Sequence, residues 1–269
     1  MTESTRYLKK QYEVDGVAFP IPVLSENEAG DHHRRLVDIE NSHGSMHYRV
    51  KPYLIFSSAY ELATNNAVLD AVETVLGPDI LLWDSAYIIK EPQTSGFVSW
   101  HQDLTYWGLE SDSDDDLVTA WLALTPATKQ NGCMRFVRAS HHGQHFDHQD
   151  TRETDNILHR GQTITNRFRE ADIVSIELRP GEMSLHHGWA IHSSQPNGST
   201  QRRVGLSLQY LKPSVRQIVG SRETATLVRG RDAFGHFESE PACGEDFRQE
   251  SVEFQKEVER LKREVYDNA

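Results

Sequence analysis

The feature that most limits the fold is the texture of residues 80–212. Short apolar runs follow one another: Ile80 to Ile89, Val98 to Trp100, Leu117 to Leu124, Cys133 to Val137, Ile173 to Leu178, Glu182 to His186 and Arg203 to Leu211. The segments between them carry Gly, Pro, Asn and Asp. Many short runs separated by turn residues predict an antiparallel sandwich or barrel. Residues 144–171 break the rhythm. They are polar and rich in His and Arg, and are expected to form a long insertion beside the barrel, a common form for a functional lid.

Helical patterns flank this core. Ser25, with Glu28 three residues on, is a capping signature for a helix running to about Ile39. A short helix over Ala59–Ala63 follows. A third, over Asn66–Leu76, sets Val68, Leu69, Val72 and Leu76 at helical spacing and stops at Gly77-Pro78. Near the other end Phe247, Phe254, Val258, Leu261 and Val265 form one apolar stripe on a helix from about Glu245 to Tyr266. That stripe packs on its own domain or, with its heptad-like spacing, joins two copies as a homodimer. The 269 residues are read as a single domain with a helical region 1–79, a core 80–212 and an extension 213–269.

Two pieces carry chemistry. Trp100-His101-Gln102-Asp103 ends the run that begins at Val98. In an extended chain residues two apart share a face, so His101 and Asp103 would project an imidazole and a carboxylate side by side. Alone, that triplet is weak. The second piece runs from Arg179-Pro180-Gly181-Glu182 through Leu185-His186-His187 to Ile191-His192-Ser193-Ser194. It reads as a turn, a strand, a tight connection and a second strand starting near His192. Asn197-Gly198 marks a reversal, and Arg203 opens the next run. Two histidines and one carboxylate on one face of iron leave three positions open, the arrangement of non-haem iron oxygenases. An oxo-acid cosubstrate takes two positions and dioxygen the third. The far carboxylate of that acid needs a fixed cation. Arg203 suits it, because a planar guanidinium grips a carboxylate in two places, while Arg202 should face the other side of the strand.

These residues carry a resemblance to the phytanoyl-CoA dioxygenase family. It spans about Leu81 to Lys212 and rests on Trp100-His101-Gln102-Asp103, Ala120-Trp121, Asn131-Gly132-Cys133, Ser140-His141, Pro180-Gly181-Glu182 and His192-Ser193-Ser194-Gln195-Pro196-Asn197 followed by Arg203. The resemblance implies a mainly β fold, a double-stranded β-helix (jelly roll, cupin-like) with N-terminal helices and a C-terminal helix outside. It implies Fe(II) held by His101, Asp103 and His192. It implies 2-oxoglutarate held by Arg203, with Ser194 at the same carboxylate and Trp121 beside it. Trp107 matches an aromatic near the substrate. The implied reaction uses dioxygen to hydroxylate an unactivated C–H bond of a small metabolite, with succinate and carbon dioxide as co-products. Related halogenases replace the metal carboxylate with a small residue, so Asp103 favours hydroxylation. Arg138-Ala139-Ser140-His141 departs from the Pro-Gly-Ser-His loop common in the family.

Other residues are open to more than one use. Alternation along residues 80–90 puts Asp84, Ala86, Ile88 and Lys90 on one face; a buried Asp84 or Lys90 needs a partner, which makes both candidates for substrate or cosubstrate contact. His141, His142, His145 and His148 are expected in a polar loop. One of His186 and His187 must point inward and could stand behind a ligand. Ser111 to Asp116 lacks the Gly and the closing Glu of a calcium loop and is expected to be solvated.

The net charge of −12 opposes a nucleic-acid partner or an anionic membrane, since both need clustered Lys and Arg. Two cysteines allow no disulfide framework and no CxxC knuckle. Residues 1–11 are unlike a signal peptide, and no apolar run nears the ~18 residues of a membrane span. The expected location is the cytoplasm, where reducing conditions help keep iron ferrous. Little concentrated basic charge is available for a large thioester, so the leaning is to a small polar or amphipathic metabolite such as an amine or aminophosphonate. A zinc-type hydrolase and a metal-free binding protein on the same barrel are the competing functions. The hydrolase would not need Arg203.

Overall fold

The computed structural model describes residues 3–111, 113–143, 145–158, 161–220 and 223–268, and all of their side chains except those of 4, 114 and 266–268. Asp112 of the acidic run, and Gln144, His159 and Arg160 of the expected insertion, lie outside the described residues.

The helices are α1 (Glu3–Asp15), α2 (Glu26–His43), α3 (Ser57–Ala63), α4 (Asn66–Leu76) and α5 (Gln249–Asn268). The strands are β1 (Val17–Pro22), β2 (Ile80–Lys90), β3 (Val98–His101), β4 (Leu109–Glu110), β5 (Leu117–Ala123), β6 (Met134–Val137), β7 (Gln149–Asp150), β8 (Gln162–Thr163), β9 (Ile173–Ile176), β10 (Glu182–His187), β11 (His192–Ser194), β12 (Arg203–Leu211), β13 (Arg216–Gln217), β14 (Thr224–Arg229) and β15 (Glu238–Ser239). The capping box of α2 forms as expected. The Glu28 amide donates to Ser25 Oγ at 3.2 Å and the Ser25 amide to Glu28 Oε2 at 2.7 Å. Asn65 caps α4 by accepting from the Ala67 amide at 2.8 Å.

The larger sheet has the order β1-β10-β5-β12-β2-β14-β15 and the smaller β3-β11-β6-β9. Successive core strands alternate between them except at β6 and β9, which follow one another in the second: β2, β5, β10 and β12 belong to the first, β3, β6, β9 and β11 to the second. That alternation is the topology of a double-stranded β-helix. The insertion contains the β7–β8 pairing. It is tied to β3, where Asn156 Nδ2 donates to Ser99 Oγ at 2.9 Å and the Ile164 amide to the Trp100 carbonyl at 2.8 Å.

The chain forms two compact units, Met1–His33, Ile89–Asp103 and Leu122–Gly205 in one, Arg34–Ile88, Leu104–Trp121 and Leu206–Ala269 in the other. In the second unit Leu81, Trp83, Trp107, Leu117, Leu211, Val215, Ala225 and Phe237 make an apolar cluster. Helix α5 begins at Gln249 rather than near Glu245. Phe247 has φ +53°, donates its amide to the Ile55 carbonyl and stacks on His43, so it belongs to the turn before the helix and not to its stripe. Val258, Leu261 and Val265 of the stripe are buried within the chain. Among the described residues no helix is long and apolar enough to cross a membrane.

Candidate metal centre

Strands β3 and β11 pair antiparallel with His101 opposite His192, which brings the two rings to 4.1 Å between centroids. Asp103 arrives differently from the expectation. Strand β3 stops at His101, and Asp103 opens a 3-10 turn over Asp103–Tyr106. The turn, not strand alternation, aims its carboxylate. Oδ1 of Asp103 stands 3.2 Å from Nε2 of His101 and 3.7 Å from Nε2 of His192. One ligand atom from each of the three residues falls within 4.8 Å of the others.

The hydrogen bonds behind the rings decide what those atoms can do. Nδ1 of His101 contacts the Ser99 carbonyl at 2.9 Å, and Nδ1 of His192 contacts the Ala190 carbonyl at 3.0 Å. A carbonyl only accepts, so each Nδ1 carries the proton and each Nε2 offers a lone pair. Burial pushes His192 down to about 3. It is therefore neutral near pH 7. Burial opposes ionisation of Asp103, but His192, His101 and His186 outweigh it and hold the carboxyl well below its usual range. Groups that face each other this way must share a proton or a cation. With His192 denied a proton, a divalent metal fits the donor set, and two imidazoles with one carboxylate suit iron with open positions.

A second polar group lies in the same unit. Arg203 is buried, and its Nη1 donates to the Gly132 carbonyl. Lys90, also buried, donates from Nζ to the Ser194 carbonyl at 3.3 Å and to the Gln195 carbonyl. Burial and the neighbouring Arg203 push Lys90 down to about 7. Two basic side chains within each other's field, both donating to neutral carbonyls, would suit an anion. Ser194 is two residues past His192 on β11, which links this site to the metal ligands. Gly132 was legible only as part of a motif. Its φ is +75°, and a Cβ there would sit 2.1 Å from the Gln195 carbonyl oxygen. Only glycine allows that approach, which sets the acceptor of Arg203.

The remaining expected residues have other surroundings. Trp121 is buried on β5 in the second unit. Asp84 accepts from its neighbour Ser85 and from Lys262 Nζ at 2.7 Å, and Lys262 stands 3.6 Å over the Trp83 ring. Trp107 packs on Trp83 at 5.3 Å between centroids. Asp84 thus finds its partner in α5. His187 packs on Tyr12 and His141, so His186 is the inward histidine of β10. The histidines of the polar loop have separate partners. His141 and His142 both contact the Glu13 carbonyl, His145 stacks on Trp189, and His148 accepts the Gln102 amide at 3.0 Å. Asp116 of the acidic run pairs with Lys212 at 2.6 Å. Gln102, between the two ligands, was not singled out. It is fully buried, donates to the Trp189 carbonyl at 2.9 Å and accepts the Phe146 amide at 3.0 Å, joining the metal loop to the insertion.

Fold and donor set together fit a non-haem iron site. Residues 13–205 match the family described as phytanoyl-CoA dioxygenase (PhyH), and the chain belongs to that family. A probable alpha-ketoglutarate-dependent hypophosphite dioxygenase of Stutzerimonas stutzeri is 30% identical over 172 residues, 63% of this chain. The match spans 58% of that relative's length. Among solved structures, the apo form of the non-heme monooxygenase ThoJ superposes with a TM-score of 0.85 at 29% identity, over 97% of this chain and 98% of its own. CytC3 with Fe(II) and alpha-ketoglutarate gives a TM-score of 0.66 at 20% identity, over 92% and 96%, a likeness of fold alone.

Proposed function

We propose that this chain is an Fe(II)- and 2-oxoglutarate-dependent dioxygenase that hydroxylates an unactivated C–H bond of a small metabolite. His101, Asp103 and His192 would hold the iron. The single observation that carries this is the pair of backbone-fixed tautomers, which turns both Nε2 lone pairs toward Oδ1 of Asp103. The chemistry supplied by bound ferrous iron and dioxygen is oxidative decarboxylation of 2-oxoglutarate to succinate and carbon dioxide, coupled to oxidation of the substrate.

The chain's own residues bind, orient and exclude water. Arg203 and Lys90 would grip the far carboxylate of 2-oxoglutarate, with Ser194 at the same end. Lys90 is thereby assigned to the cosubstrate rather than the substrate. Trp107 is retained as the aromatic on the substrate side, and Asp84 is not, because Lys262 already neutralises it. The whole chain is read as one oxygenase domain. A homodimer through α5 would have to use the charged outer face of that helix, since Val258, Leu261 and Val265 are already covered. The buried free thiols of Cys133 and Cys243 suit a reducing compartment, and the cytoplasm is our reading.

The substrate class is a small polar or amphipathic metabolite, with amines, aminophosphonates and reduced phosphorus oxyanions the first to try. The test is succinate release by the full chain with Fe(II), 2-oxoglutarate and dioxygen across such a panel. Stimulated succinate formation that requires iron supports the proposal. Turnover with Zn(II) and no need for 2-oxoglutarate would instead establish a hydrolase.

A further inference from the structure

Strand β10 turns Ser184 and His186 to one face and Met183, Leu185 and His187 to the other. On the inward face the His186 ring lies between two others, 5.0 Å from the centroid of Phe136 and 5.0 Å from that of His192. It is 2% exposed, and neither of its ring nitrogens has a hydrogen-bond partner. Its Nε2 stands 3.5 Å from Oδ2 of Asp103, whereas Oδ1 is the oxygen that faces His101 and His192. The set of donors lying within 4.8 Å of one another comprises His101, Asp103 and His192 and leaves His186 out.

We propose that His186 is a positioning residue for the metal's carboxylate. Its Nε2–H holds Oδ2 of Asp103, so that Oδ1 alone is presented to the ion. The inference rests on the metal centre argued above. A carboxylate has two equivalent oxygens and can occupy either one or two positions on a metal. A donor fixed on Oδ2 restricts it to one and keeps the open positions free for cosubstrate and dioxygen. Buried polar atoms in a native fold have partners, and the only acceptor that a metal-bound Asp103 leaves unused is the one His186 approaches. Phe136 on one side and His192 on the other stop the ring from swinging elsewhere.

The experiment uses the full chain and anaerobic titration with Co(II), repeated with Fe(II). His186→Phe fills the volume and removes the N–H, while His186→Gln keeps an N–H at a similar reach. Circular dichroism and thermal melting establish that each variant is folded. His186→Phe is expected to bind either metal about 10- to 100-fold more weakly, and His186→Gln to return to within about threefold of wild type. The visible Co(II) spectrum is expected to show the same coordination number in wild type and His186→Gln, and a higher one in His186→Phe, where Oδ2 is released. Wild-type affinity in folded His186→Phe would overturn the proposal, as would a folded His186→Gln no better than His186→Phe. A change of coordination number in His186→Gln would overturn it too, because His186 would then be a ligand. Absence of metal binding by wild type would instead sink the metal centre itself.

Discussion

His101 and His192 each lose the choice of tautomer to a carbonyl two residues earlier, Ser99 and Ala190. That local device leaves each Nε2 with a lone pair to offer rather than a proton to donate. Asp103→Ala is expected to weaken Co(II) binding by about 100-fold or more, measured by calorimetry, with little loss of secondary structure. Arg203→Lys keeps the charge but loses the fork, so the KM for 2-oxoglutarate should rise about tenfold or more with a smaller change in kcat. Lys90 adds a pH dependence. Its pKa in the folded chain, about 7, lies below the ordinary 10.5. Between those values the unfolded chain binds more protons, so the cost of holding Lys90 charged is full below pH 7 and fades as pH rises toward 10.5. An anionic cosubstrate needs the protonated form. Affinity for 2-oxoglutarate should therefore fall, by up to about tenfold per pH unit, as pH rises above about 7. In Lys90→Met the calorimetric affinity should be weak and flat with pH.

At the level of elements, the apolar runs named seven of the eight core strands to within about two residues, because a strand buried on both faces is a short continuous apolar segment, and the eighth, β11, was read from its start near His192. Helix α4 was equally legible from its spacing and its Gly-Pro stop. Strand β1 was not, since Val17–Pro22 carries two prolines and pairs only because β10 offers an edge. The 3-10 turn at Asp103 was not legible either, as nothing in the triplet distinguishes it from a continuing strand. The turn at Gly132 gives an element-scale prediction. Gly132→Ala forces a Cβ against the Gln195 carbonyl, so urea unfolding should show a loss of more than about 2 kcal/mol, together with a raised KM for 2-oxoglutarate. Helix α5 gives another. Lys262→Met leaves Asp84 ionised and buried without its cation, and should cost about 3–5 kcal/mol by denaturant melting. The double variant Asp84→Asn with Lys262→Met should recover part of that.

For the molecule as a whole, ligands that bind only the folded state stabilise it by mass action. Metal with 2-oxoglutarate at about 100 times its Kd should add about 2.7 kcal/mol and raise Tm, and a chelator should reverse the rise. Order along the chain determined the candidate donors His101, Asp103 and His192, the strand carrying Arg203 and the fold class, because those depend on residue type and spacing. Tertiary structure alone decided which oxygen of Asp103 faces the imidazoles, that His186 rather than His187 stands behind it, and that Asp84 answers to Lys262. It also decided that Lys90 and Arg203 share one field. These are pairings between residues far apart in sequence, and their direction depends on backbone register and burial, neither of which a linear pattern contains.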